Sequence, residues 1–205
     1  MKGRAIILFM ILSLIPLFLG CAKSRIYLMD VRYIPKEKAS PTEKMVGVCP
    51  FEDTRKEKEE ETIGLRHGPG KKVDVIELKG ISLSESVTGA VEDYFAERGF
   101  EVTDCKGWDR SAEGLESLPK DLYLVVGGRI DSFTLEARSG ITGTDTHYMV
   151  KIDAFIGQIE KRNVVIRTVE SEPKARKVTF DPDEVDAQLD IILTEVIQKL
   201  FEGKY

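Results

Sequence analysis

Three cysteines and two histidines are the side chains of this sequence with the greatest capacity for covalent or metal chemistry. Cys49 lies in a predicted strand and Cys105 directly follows another, and two thiols alone cannot complete a four-ligand zinc site. His67 and His147 are far apart in the sequence and belong to no paired motif such as H-E-x-x-H. We interpret both histidines as surface or strand-end residues, so the sequence predicts no metal site.

Motifs for nucleotide binding or hydrolysis do not occur either. The glycines between 64 and 70 lack the lysine and the strand-to-helix setting of a P-loop, and no serine lies in a G-x-S-x-G elbow. Asp181 and Asp183 are explained by the preference for negative charge at a helix start. Arg129 and Asp131 indicate an internal ion pair across a sheet. The sequence therefore predicts no catalytic residue and no cofactor, and we expect a non-enzymatic protein.

The distribution of charge argues against a nucleic-acid partner. The chain has 30 basic and 35 acidic residues, a net charge of −5. Loss of Lys2 and Arg4 with an export leader would leave 28 basic against 35 acidic residues, or −7. Phosphate-binding surfaces need clustered Lys and Arg, whereas the basic residues here alternate with acids, as in the run from Lys56 to Glu59.

The first 20 residues have the layout of an export signal. Met1 to Arg4 is a short positive start, and Ala5 to Leu19 is an apolar run interrupted only by Ser13 and Pro16. A permanent bilayer crossing needs about 20 apolar residues, so this shorter run favours a cleaved leader over a transmembrane helix. We predict a signal peptide over residues 1–20.

The residues that end this run, Leu17-Phe18-Leu19-Gly20-Cys21, resemble the lipobox of bacterial lipoproteins. The resemblance implies that the thiol of Cys21 receives a diacylglyceryl group, that the leader is cut before it, and that the new amino terminus is acylated, typically with palmitate. Gly20 matches the small residue of the pattern, while Phe18 departs from the commoner leucine. Two or three acyl chains make a lasting anchor, whereas a single chain holds only marginally.

Two features of this interpretation leave alternatives open. An ordinary secretory leader with a coincidental cysteine at position 21 would give a free periplasmic protein. Ala22 stands where inner-membrane retention often uses Asp, so resemblance to that sorting rule implies the outer membrane, facing the periplasm.

Export also places Cys49 and Cys105 in an oxidising compartment, where a disulfide is permitted if their strands are neighbours. Two buried free thiols are the alternative.

The rest of the chain predicts a short anchor region and one domain. Residues 21–44 would contain the lipidated cysteine, an edge strand over Ile26–Tyr33 and a linker over Pro35–Lys44, and residues 45–205 a single α+β domain. Its first strand, 45–51, has the apolar run of a central strand. The stretch from Asp53 to Lys72 combines dense charge with glycines, so we expect an exposed, mobile loop. A short strand over 73–78 would return from it.

A helix follows, and sequence signals indicate where it begins and ends. Ser82 and Glu85 form a capping box, an apolar stripe faces the sheet, and Gly99 ends the helix. A short strand over 100–103 and a loop containing Trp108 come next. We interpret Trp108 as a cover over the core rather than a ligand platform.

The last third predicts antiparallel strands and a final helix. Residues 122–178 read as a meander, with a bulge near Gly127-Gly128 or Asp131-Ser132 and with Lys151 and Asp153 on a solvent-facing side. The helix from Asp181 is either deeply packed or covers a partner. We predict an α+β fold: a mixed or antiparallel sheet with a strand–helix–strand unit, a β-meander and a carboxy-terminal helix packed on the sheet.

Several short motifs in the mature chain resemble YajG-type lipoproteins. They are the lipobox, the strand end Pro50-Phe51-Glu52-Asp53-Thr54-Arg55, Ile63-Gly64, and the helix end Arg98-Gly99-Phe100; the segment Val31 to Pro35 is similar too. The resemblance implies that Asp53 and Arg55 fix a turn by pairing with each other or with the backbone. More distantly, the chain is similar to the amino-terminal domain of TolB and the core of the curli-secretion lipoprotein. These relatives imply a protein-binding role and provide no catalytic residue.

We therefore expect a membrane-anchored envelope lipoprotein that is an accessory or protein-binding component. The predicted partners are the membrane, through Cys21, and an envelope protein, through the segments Asp53–Lys72 and Asp183–Phe201. The alternative is a periplasmic enzyme or small-ligand carrier with a pocket between the sheet and Trp108.

Overall fold

A single mixed sheet of nine strands carries the fold. The computed structural model describes residues 24–36, 39–56 and 61–203, so Cys21 lies outside the described residues. The strands are β1 (Ile26–Met29), β2 (Met45–Asp53), β3 (Thr62–His67), β4 (Val73–Leu78), β5 (Glu101–Asp104), β6 (Leu122–Ser139), β7 (Thr144–Gln158), β8 (Asn163–Ser171) and β9 (Lys174–Lys177), and the helices are α1 (Leu83–Glu97) and α2 (Pro182–Leu200). The predicted α+β class is confirmed.

The long strand β6 organises the sheet because it has different neighbours along its two halves. One edge pairs with β7 from Leu124 to Ser139 in antiparallel register. The other edge pairs in parallel with β2 up to Ile130, and then with β3 from Leu135. A register shift between Ile130 and Ser132 marks the change and corresponds to the second of the two predicted bulge positions.

Arg55 occupies the point at which β6 changes neighbours. Its Nε and Nη2 donate to the two carboxylate oxygens of Asp53, at 3.0 and 2.9 Å. Its Nη1 donates to the backbone oxygens of Thr62 in β3 and Phe133 in β6, at 3.0 and 3.2 Å. The side chain is only 5% exposed. Asp53 and Arg55 were predicted to fix a turn by pairing with each other or with the backbone. Both kinds of pairing are confirmed.

The predicted mobile loop over Asp53–Lys72 is wrong for its second half. Residues 62–67 form β3, which pairs with both β4 and β6, and residues 69–71 form a 3-10 turn. The charge and glycine content suggested that this stretch could not bury surface. However, Ile63 is buried, and Gly64 allows the backbone of β6 to approach so closely that a Cβ at this position would lie 2.1 Å from the Leu135 oxygen.

Both helices cover the same face of the sheet and begin as predicted. Ser82 accepts from the Glu85 backbone while the Glu85 carboxylate accepts from Ser82, which completes the capping box. Asp181 caps α2, with Pro182 in its first turn. Of the two predicted roles for this helix, deep packing or covering a partner, its eight buried residues confirm deep packing: Val185, Leu189, Ile192, Leu193, Thr194, Val196, Ile197 and Leu200.

The chain before β2 packs against these helices. Thr42 donates its backbone N–H to the oxygen of Gly99 at 2.7 Å, and Ala39 donates to Glu97 at the same distance. Gly99 has φ +81°, and a Cβ there would lie 2.2 Å from the Ser40 oxygen, so only glycine fits. The described part of the predicted linker is therefore held against the end of α1.

Residues 30–34 run along α2 in a regular pattern. Alternate backbone N–H groups donate to helix side chains spaced by four residues, which lie on one face of a helix. The distances are 2.8 Å from Asp30 to Asp186, 2.7 Å from Arg32 to Asp190 and 2.9 Å from Ile34 to Thr194. Helix side chains thus take the place of a neighbouring strand, and Val31 and Tyr33 between them are buried.

We expect Arg55→Ala to lower the free energy of unfolding by about 3–5 kcal/mol, because it removes the charged partner of the largely buried Asp53 carboxylate and the guanidinium donor to two backbone oxygens. Lys199→Ala is the control. Lys199 pairs with Glu195 on the exposed surface of α2, and its loss should change stability by less than about 1 kcal/mol. Urea unfolding followed by circular dichroism measures both; equal effects would contradict the role of Arg55.

Candidate functional site

The sheet face opposite the helices, the outer face, is closed over one half and open over the other. A loop after β5 covers the first half with a small second core of Cys49, Cys105, Trp108, Leu115 and Val125. Cys49 and Cys105 form a disulfide, with their Cα atoms 4.4 Å apart, and the Trp108 indole donates to the Ser111 oxygen at 3.0 Å. Trp108 therefore acts as a cover, as predicted.

The prediction of a pocket between the sheet and Trp108 is wrong. The space beside Gly157 of β7 is filled by side chains: a Cβ there would lie 2.5 Å from Leu115, 2.7 Å from Val125 and 3.0 Å from Trp108. Not even a methyl group would fit between the sheet and this loop. The sequence indicated that Trp108 is buried. It could not indicate that neighbouring side chains fill the space between Trp108 and the sheet, because that packing depends on how the loop folds.

The open half of the outer face forms a groove of about 600 Å³, which we call the outer groove. Its floor contains the apolar side chains of Leu65 and Met149, and Leu65 is 40% exposed. Polar and charged residues surround this floor. They are Arg55, Thr62, His67, Thr134, Glu136 and His147.

Glu136 lies between the two histidines of the chain. His67 Nε2 is 3.5 Å from its carboxylate, and His147 is its register partner on β7. Arg138 donates to the same carboxylate oxygen from Nε and Nη2, at 2.9 and 2.7 Å. These hydrogen bonds hold the pKa of Glu136 below its ordinary value against an opposing effect of burial, and the positive charge of Arg138 lowers this pKa further.

Two neighbouring strands bring the histidines to Glu136. His67 is the last residue of β3, opposite Arg138, and His147 follows the turn that joins β6 to β7. The sequence analysis predicted surface or strand-end positions for both and did not bring them together; His67 does end a strand, whereas His147 is the fourth residue of β7. A hairpin pairing Ser139 with Thr144 sets Glu136 opposite His147, and that signal was available in the Gly-rich turn. The approach of His67 depends on β3, which was predicted as loop.

A second charged cluster lies beside the groove on β6 and β7. Arg129 donates to Asp153 at 2.7 Å, and Thr168 donates to the other oxygen of the same carboxylate at 2.6 Å. Arg129 thus forms an ion pair across the sheet, but its partner is Asp153 and not the predicted Asp131, which lies 3.8 Å from Lys151. Asp153 was expected to face solvent but is only 8% exposed. Burial raises its pKa, and the donors from Thr168 and Arg129 outweigh that effect, so the pKa of Asp153 is lowered.

The outer groove combines an apolar floor with a rim of polar and charged side chains. In residues 24–36, 39–56 and 61–203, no group of three His, Cys, Asp or Glu side chains is arranged to hold a metal ion. What the groove offers is an apolar floor between strands, with hydroxyl, carboxylate, imidazole and guanidinium groups around it. Apolar contact inside a polar rim is typical of protein interfaces.

The architecture defines a class of fold: an α+β domain with a mixed, curled sheet and two helices on one face. The same fold occurs in protein XCC0632 from Xanthomonas campestris, described as a DUF330 protein, with 15% identity, a TM-score of 0.56, and coverage of 86% of this chain and 92% of that one. A second, uncharacterised protein shows 8% identity, a TM-score of 0.53, and coverage of 86% and 96%.

A weaker likeness exists to lipoprotein GNA1162 from Neisseria meningitidis, with 8% identity, a TM-score of 0.41, and coverage of 78% of this chain and 99% of that one. The likenesses to XCC0632 and to the second, uncharacterised protein show a common fold and nothing finer. No family model and no curated protein sequence matches the chain. Among the described helices, none combines the length and apolar content needed to cross a bilayer.

Replacing Arg138 by Gln should raise the pKa of Glu136 towards its ordinary value of about 4.3, because the charged donor that stabilises the carboxylate is lost. Carbon-13 NMR titration of the glutamate carboxyl groups measures the shift. Lys199→Gln removes the same charge from a distant helix face and should leave Glu136 unchanged. An equal shift in both variants would assign the effect to net charge instead.

Proposed function

We propose that this chain is a non-enzymatic envelope lipoprotein, anchored through acyl chains on Cys21, that binds another envelope protein through the outer groove. The proposed location is the outer membrane, facing the periplasm. The anchor is supported by the lipobox-like sequence, and the binding role by the groove. Ser24, where the described chain begins, is three residues after Cys21, so the domain would lie close to the lipid.

The observation that carries the binding role is the exposed apolar floor of the outer groove. Leu65 and Met149 lie on adjoining parts of an open sheet face whose other half is sealed by a disulfide-linked loop. Exposed apolar surface with a polar rim marks interaction sites in soluble domains. Of the two contact segments expected from the sequence, 53–72 contributes Leu65 and His67 to this groove. The segment 183–201 is largely occupied with the core.

The anchor is tested by expressing the wild type beside Cys21→Ala in a bacterial host. We expect the wild type to fractionate with membranes and to carry the added mass of a diacylglyceryl group and an acyl chain. The variant should remain unprocessed or become soluble, because no thiol is available for lipid attachment. Intact mass spectrometry gives the result. A wild type cleaved near Gly20 but unlipidated and soluble would contradict the anchor.

The groove is tested by photo-crosslinking in cells. A benzoylphenylalanine at Thr134, an exposed residue of the groove, should crosslink to one discrete envelope protein. The matched control is the same group at Ile166, which is 59% exposed on β8 outside the groove. Met149→Arg should reduce the Thr134 product about tenfold or more, since a charge on the floor opposes apolar contact. The same products from Thr134 and Ile166 would contradict the groove as the binding surface.

A further inference from the structure

One end of the molecule gathers the first described residues and three turns. β1 and β4 begin at this end, β3 and β6 finish there, and β7 starts there after the turn from β6. The structure thus brings together residues 24–25, the turn 68–72, the turn 140–143 and the turn 178–181. We call this the anchor end, because the residues nearest Cys21 in the chain enter the domain here.

Arg66 and Asp74 hold these segments together. Arg66 donates to the Tyr27 hydroxyl at 3.0 Å, to the Ser139 hydroxyl at 3.2 Å and to Asp74 at 3.1 Å. Its guanidinium group also lies 4.6 Å from the centre of the Phe180 ring. Asp74, fully buried, accepts from the backbone N–H of Arg25 at 2.9 Å. The anchor end is therefore a fixed surface rather than a set of independent loops.

The tips of two neighbouring turns at this end carry unusually exposed apolar side chains. Ile141 is fully exposed and Val178 is 86% exposed, the two largest values among the exposed large apolar residues of the described chain. The strand that leads to Val178 contacts the other turn, since Arg176 of β9 donates to the Thr142 hydroxyl at 3.1 Å. An isoleucine side chain at the tip of a turn that faces water has no apolar surroundings, whereas at the lipid boundary the same side chain is buried among acyl chains and stabilises membrane contact.

Basic side chains accompany these tips. The segments 24–25, 68–72, 140–143 and 178–181 contain three basic residues and one acidic residue, Asp181, within a chain whose net charge is −5. The adjoining strand ends add the basic residues Arg138, Arg176 and Lys177 and the acidic residue Asp145. Several pair with acids on flanking elements, as Lys72 does with Asp74 and Lys177 with Glu184. Positive charge near anionic headgroups adds attraction that salt screens. We expect this electrostatic contribution to be modest beside that of the apolar tips.

We propose that the anchor end rests on the phospholipid bilayer, with Ile141 and Val178 placed at the boundary between headgroups and acyl chains. The inference rests on the proposed anchor at Cys21. Two residues lie between Cys21 and Ser24, and the three Cα-to-Cα steps reach at most about 11 Å, so acylation at Cys21 would keep this end near the lipid. The bilayer then fixes the orientation of the domain, and the outer groove opens sideways along the membrane.

The test uses the full-length acylated protein in vesicles of phosphatidylethanolamine and phosphatidylglycerol. Tryptophan is introduced singly as Ile141→Trp, Val178→Trp or, as the matched control, Ile166→Trp. All three positions are exposed, and an unchanged thermal unfolding midpoint confirms that each variant folds. Lipids carrying a spin label at acyl carbon 5 quench tryptophans that reach this depth. The emission of Trp108 in the wild type is subtracted.

We expect the added emission at 141 and 178 to shift to shorter wavelength and to lose about half its intensity or more, since boundary residues lie about 5–10 Å into the lipid. The emission at 166 should change little. Unquenched tryptophan at 141 and 178 in protein that floats with the vesicles would overturn this orientation while leaving the anchor intact. Wild-type protein that fails to float would overturn the anchor itself, and the orientation with it.

Discussion

The arrangement of the sheet depends on one guanidinium group at the point where β6 changes its neighbour. β2 leaves the edge of β6 before β3 joins it, and the gap between them would leave backbone oxygens without donors in the interior. Buried carbonyl groups need partners, and Arg55 supplies them from a planar group with five donors. Its pairing with Asp53 keeps the positive charge compensated. Both halves of β6 therefore stay in one continuous sheet.

The change of neighbours along β6 divides the outer face into a half that is covered by a loop and a half that is open. The half next to β2 is sealed by the loop after β5, which the disulfide of Cys49 and Cys105 fastens to the sheet. The half next to β3 has no such cover among the described residues and forms the outer groove. A protein that needs a binding surface beside a stable core can obtain both from one strand that is long enough to serve two neighbours.

The sequence predicted most elements whose signals are local. Ser82, Gly99 and Asp181 set helix limits through caps that involve only nearby backbone, and the bulge at Ile130 appeared as a shift in apolar phase. β3 was missed because it is stabilised by pairing with β4 and β6. The composition of a short charged segment does not indicate which distant strands it pairs with. For the same reason the sequence could not bring His67 to Glu136, nor show that Arg129 and Thr168 cover Asp153. These contacts depend on register between distant strands.

The entry of the chain as β1 has a mechanical consequence. β1 is parallel to β4 and pairs with it from Ile26–Val75 to Met29–Leu78. A pull from the amino-terminal side acts along the strand axis, across the direction of these hydrogen bonds. The bonds are then loaded together in shear instead of opening one after another. Behind them, the contacts of residues 30–34 with α2 share the load, so tension arriving at Ser24 spreads into both the sheet and the helix.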